Sequence, residues 1–128
     1  MAYFREQPIN VPCDTTENLS ACQHHFVQLS GDNLIELVDD TVDNNPVLGV
    51  LQNKPSSGQG GDVCILGCTK VRMGTACSYG DKICAADSGW GTLVDSGTLT
   101  QGFVIHGCNS GLIATAMINC VNAISQLS

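Results

Sequence analysis

The chain has 128 residues, 43% of them apolar and only 13% charged, with five basic against twelve acidic side chains for a formal charge of −7. That length fits one compact domain, and a disordered chain needs the opposite balance of apolar and charged residues. Arg5, Lys54, Lys70, Arg72 and Lys82 are too few and too scattered for the basic footprint that displaces counterions, and no apolar run approaches the ~20 residues of a membrane span. Nucleic acid and membrane are therefore excluded as expected partners.

In chain order, residues 1–23 lack regular periodicity and contain Pro8 and Pro12, which predicts an extended N-terminal arm, bounded at residues 1–25. Its Tyr3, Phe4, Arg5, Ile9 and Val11 are the candidate contacts to an outside surface. Met1 to Asn10 carry Arg5 but no apolar stretch of a secretory signal, so synthesis in the cytoplasm is expected. From residue 26 onward the pattern is that of short strands. Apolar or alternating runs recur at His25–Leu29, Leu34–Val38, Val47–Leu51, Asp62–Leu66, Thr69–Met73, Lys82–Ala86, Thr92–Val94, Gly102–His106 and Leu112–Ile118. Most of the fourteen glycines fall between them. Asp39–Pro46, Lys54–Gly61 and Ser88–Gly91 read as loops. Beyond Ile118 the spacing fits either a tail or a short helix. The expected fold is all-β: a small β-barrel or sandwich over 26–128, preceded by the arm.

Eight cysteines, Cys13, Cys22, Cys64, Cys68, Cys77, Cys84, Cys108 and Cys120, contain no Cys-x-x-Cys, and no metal or other cofactor is expected. Cys64 and Cys68 lie on one strand, where four residues span roughly 13 Å, too far for a disulfide. Local geometry favours two bridges. Cys77 and Cys84 flank a Ser-Tyr-Gly-Asp turn, and Cys13 and Cys22 bracket a polar loop. Buried reduced thiols are the alternative, since cytosolic synthesis keeps them reduced until release.

No string completes a catalytic set. Leu93-Val94-Asp95-Ser96-Gly97-Thr98 resembles the aspartic protease loop, in which two carboxylates share a proton. A retroviral-type subunit using Asp95 is the alternative enzyme reading, although Asp-Ser-Gly is also ordinary turn chemistry and recurs at Asp87-Ser88-Gly89. His24 and His25 are adjacent, so on a strand they point to opposite faces and cannot easily share a metal; His106 stands apart. The acidic Asp39–Asn45 run breaks EF-hand spacing, and Ser56–Gly61 lacks the Lys-Ser/Thr of a P-loop. The expectation is a protein that is not an enzyme.

Five segments together resemble the capsid cement, or head decoration, proteins of tailed bacteriophages. They are Val47-Leu48-Gly49-Val50-Leu51, Gly61-Asp62-Val63-Cys64-Ile65-Leu66-Gly67, Gly80-Asp81-Lys82-Ile83-Cys84, Gly102-Phe103-Val104-Ile105 and Leu112-Ile113-Ala114-Thr115-Ala116-Met117. The resemblance covers about Phe26 to Met117; the arm and the cysteines depart from it. It implies a structural protein on the outer capsid surface of the virion, bound to the major capsid protein and to itself. A homotrimer is favoured and a dimer is the alternative.

Overall fold

The computed structural model describes residues 9–39, 47–94 and 100–121. Nine strands run in chain order: β1 (Ile9–Thr15), β2 (Phe26–Gly31), β3 (Leu34–Leu37), β4 (Val47–Leu51), β5 (Gly60–Arg72), β6 (Lys82–Ala85), β7 (Gly91–Leu93), β8 (Gly102–His106) and β9 (Ile113–Asn119), with a 3₁₀ turn at Asp87–Gly89. The all-β expectation holds, and each strand from β2 onward falls within a residue or two of its apolar run. One difference is β5. The two runs at 62–66 and 69–73 are a single strand, because Gly67 and Cys68 pair with Ile118 and Met117 instead of turning.

Neighbours in the sheet follow the order β1-β3-β2-β4-β5-β9-β8-β6-β7, and β1 pairs again with β5. That second pairing closes β1, β3, β2, β4 and β5 into a five-stranded barrel. Closure removes the free edges that an open sheet would present. β1 runs antiparallel to β5, with Val11 opposite Val63 and Cys13 opposite Gly61, and parallel to β3, with Thr15 opposite Ile35. The segment expected as a free arm over 1–25 is therefore divided. Residues 9–15 are a barrel strand, 16–25 turn across one end of the barrel, and 1–8 lie outside the described residues. Within the turn, Leu19 is 1% exposed, and its N–H donates to the Pro55 carbonyl.

The long β5 links the barrel to a second layer. Its first half belongs to the barrel, and its second half pairs with β9 from Leu66–Asn119 to Arg72–Ile113. From β9 the sheet continues through β8 and β6 to β7. A parallel bridge from Met73 to Gly91 then brings β7 back against the end of β5.

Two cores result. Cys13, Leu19, Val27, Ile35, Leu51 and Val63 fill the barrel. Phe26, Val50, Val71, Met73, Ile83, Val104, Ala114, Ala116 and Ile118 lie in the other, between the barrel wall and the second layer. Consecutive residues thus serve different cores: Phe26 and Val27 on β2, Val50 and Leu51 on β4. A strand buried on both faces reads as a continuous apolar run, which is why these two do not alternate.

His25 is buried where β2 begins. Its Nδ1–H donates to the Ser88 carbonyl at 3.1 Å, and its ring meets Trp90 edge-on with centroids 5.0 Å apart. Burial pushes its pKa below the usual imidazole value; the Ser88 bond opposes this and the charge of Arg72 adds to it. The folded chain then binds protons less readily than the unfolded one, so this stability is fully present above about pH 6.5 and falls as pH drops toward the lowered folded value. The urea midpoint is expected to fall between about pH 7 and pH 5, and to fall less in His25→Gln. An equal fall in both proteins would assign the pH dependence elsewhere.

Candidate docking surface

The outer face of the second layer is apolar where solvent should favour polar residues. On β8, Gly102 and Val104 point inward while Phe103 and Ile105 are 47% and 45% exposed. Phe103 stands opposite Met117 of β9, and Met117 stands opposite Cys68 of β5. On its other side Phe103 faces Lys82 of β6. Lys82, Phe103, Met117 and Cys68 thus form one cross-strand row. At one end of that row, Leu66, Thr100 and Asn119 join Phe103, Met117 and Lys82 around a groove of about 500 Å³. A groove with apolar walls of this kind is a candidate interaction surface.

Charge is divided in the same way. Strands β6, β7, β8 and β9 contain no carboxylate, Lys70, Arg72 and Lys82 lie along this layer, and Asp81 and Asp87 stand in the turns on either side of β6. The acids Asp14, Asp32, Glu36 and Asp62 belong to the strands and turns of the barrel. The strands of the second layer thus carry exposed apolar and basic side chains, with acidic ones in the turns that flank them.

The sequence-predicted contacts divide between described and undescribed residues. Tyr3, Phe4 and Arg5 lie outside the described residues. Ile9 is exposed and opposite Leu66, so the chain enters the barrel beside the groove. Val11 is half-buried against the barrel core. The exposed row on β8 and β9 was legible only as strands. The one available signal was the unbroken Phe103-Val104-Ile105 triplet, which leaves bulky apolar groups on both faces of a strand that has only one buried face.

No disulfide joins any two of the eight cysteines in this structure. Cys13 and Cys22 both belong to the barrel core region, the first buried and the second half-buried. Cys84 is buried on β6 opposite Thr92. Cys77 does not face Cys84: it forms an antiparallel bridge with Cys108. Cys64 is buried and Cys68 exposed on the same strand. Asp95, on which the protease reading rests, lies outside the described residues, as does most of the acidic 39–45 run. His24 lines a cavity of about 270 Å³ together with Lys54 and Arg72. Desolvation, then the charges of Lys70 and Arg72, hold its pKa below the ordinary value. Among the described residues, no group of three or more His, Cys, Asp or Glu side chains could hold a metal ion.

Comparison of this fold with solved structures returns the crystal structure of head fiber gp8.5 N base in bacteriophage phi29. It superposes with a TM-score of 0.65 over 89% of this chain and 96% of that one, at 17% sequence identity. The two folds are alike. At that identity the likeness is one of backbone architecture. No protein-family model and no curated protein sequence matches the chain.

Proposed function

We propose that this chain is a structural protein of a phage virion that sits on the outside of the capsid and stabilises it as a cement or decoration subunit. The observation that carries the reading is the shared fold with a phage head fiber base over nearly the whole of both chains. The exposed Phe103 and Ile105 on β8, with the half-buried Met117 opposite Phe103, support it, because a structural protein acts through buried interface area, and such area must be apolar at its centre. In this reading the groove seats on the major capsid protein. Residues 1–8, which lead into β1 beside that groove, add a second contact through Tyr3 and Phe4. Copies associate with one another on the shell as a homotrimer, with a dimer as the alternative arrangement. Among the described residues, those that line the groove include no paired catalytic groups, and the chain works by interface free energy summed over many copies.

The test is co-sedimentation of the purified chain with expanded capsids of its phage that lack it. Wild type should bind saturably. Phe103→Asp combined with Met117→Lys should bind at least about tenfold more weakly, the loss expected when central apolar contacts are replaced by charge. Both side chains face outward, so the variant should keep the wild-type far-UV spectrum. Deleting residues 1–8 should also weaken binding while sparing β1. Failure of wild type to bind would overturn the reading, and undiminished binding by the double variant would move the docking face elsewhere.

A further inference from the structure

Segment 73–81 lies along segment 104–112 and is held there by a set of hydrogen bonds. The Gly80 N–H donates to the Val104 carbonyl and the Val104 N–H to the Asp81 carbonyl, each at 2.8 Å. At the other end, Gly111 N–H donates to Met73 and Met73 N–H to Leu112, at 2.8 and 2.9 Å. The Ser110 hydroxyl donates to the Gly74 carbonyl at 2.9 Å. Midway between these ties, Cys77 and Cys108 exchange both backbone hydrogen bonds, at 3.0 and 3.1 Å, and their sulfurs stand 4.0 Å apart. A directly opposed, hydrogen-bonded antiparallel pair has a Cα separation near 5.5 Å, inside the range a disulfide spans. Gly107 fixes this register. A Cβ there would stand 2.2 Å from the Cys77 carbonyl oxygen, so the two backbones meet at a distance that only glycine allows.

The other thiols are placed differently. Cys13, Cys64, Cys84 and Cys120 are buried, Cys22 is half-buried against the barrel core, and Cys68 is exposed on the outer face of β5. Burial pushes the Cys120 thiol up to about 12, which keeps it protonated and unreactive at neutral pH. Cys77 and Cys108 combine close mutual approach with partial exposure.

We propose that Cys77 and Cys108 are a disulfide-forming site whose oxidant is a low-molecular-weight disulfide, met after the chain leaves the reducing cytoplasm. One thiolate of the pair attacks the small disulfide, forms a mixed disulfide and expels the first small thiolate. The second cysteine, as thiolate, attacks the protein sulfur of that mixed disulfide and expels the second. Two electrons pass from the cysteine pair to the small disulfide, and the two protons given up by the cysteines are taken up by the two small thiols released. Burial, and then the neighbouring Cys77, push the Cys108 thiol up, so the exchange quickens as pH rises from neutral. The bond closes a ring that contains β6, β7 and β8. Of these three, β8 alone makes a strand ladder to β9. The ring therefore fastens the part of the second layer that the ladder holds least.

The reduced full-length chain, incubated with oxidised glutathione, alkylated and digested with trypsin and chymotrypsin, gives the test by mass spectrometry. The expected product has lost two hydrogen atoms and links the Cys77 and Cys108 peptides. Its melting temperature should rise by about 5 °C or more, a gain reversed by dithiothreitol. Cys77→Ser with Cys108→Ser should show neither the link nor the rise. Cys108→Ser alone should retain glutathione on Cys77, because no neighbouring thiol is left to displace it. Recovery of wild type with both cysteines alkylated, with separate glutathione adducts on each, or with Cys77 linked to Cys84, would overturn the proposal.

Discussion

Phe26→Ala is expected to cost about 3–5 kcal/mol of stability, the range for removing a fully buried phenylalanine. Phe26 is 0% exposed and lies in the core between the barrel wall and the second layer, with Val50, Val71, Ile83 and Val104. The space it leaves cannot collapse easily, because β2 is held on one side by β3 and on the other by β4. Domains of this kind are stable by only about 5–15 kcal/mol in total. One truncation therefore removes a large share of the margin. Urea denaturation checks this, with Ile105→Ala as the exposed control expected to stay within about 0.5 kcal/mol of wild type. A Phe26→Ala loss below about 1 kcal/mol would mean that the two layers repack freely, contrary to the structure.

The second large effect is expected at Gly49→Ala. A Cβ at Gly49 would lie 2.1 Å from the Cys64 carbonyl oxygen and 3.0 Å from Cγ1 of Val63. The first obstacle is backbone, which cannot rotate away as a side-chain end can. To make room, β4 must part from β5, breaking the Val50–Cys64 and Leu51–Val63 pairs that close the barrel on that side. A loss of about 3 kcal/mol or more is expected, at the upper end of overpacking costs. Gly60→Ala is the matched control. Its Cβ would find only the Cys13 carbonyl oxygen at 3.8 Å, an ordinary contact, and stability should hardly change. Equal melting temperatures for Gly49→Ala and wild type would show that the close approach of β4 to β5 is not required.

Strands β2, β3, β4, β6, β8 and β9 were legible because each is a short apolar or alternating run ended by Gly, Asn or Asp, and such a run can be ordered only as a half-buried or fully buried strand. β1 was not legible. Ile9-Asn10-Val11-Pro12-Cys13-Asp14-Thr15 contains a proline, which reads as an arm or an edge. It is a strand because β5 offers it an antiparallel partner some fifty residues away, where Val63 meets Val11 and Gly61 meets Cys13. The candidate docking face was half legible. Phe103 and Met117 were each placed on strands, but that they stand opposite one another depends on β8 and β9 pairing in one register.

Composition and the period of the apolar residues therefore determined the fold class and most strand positions. Those properties depend on each residue and its near neighbours, and the chain carries them before it folds. Tertiary structure alone decided the barrel closure through β1, the joining of two apolar runs into one long β5, the meeting of Cys77 with Cys108 instead of Cys84, and the gathering of exposed apolar groups into one groove. Each of these is a choice of partner between segments distant in sequence. A strand shows the same alternation whichever neighbour it takes, so the choice is made by side-chain packing and loop closure once the whole chain competes for the same two cores.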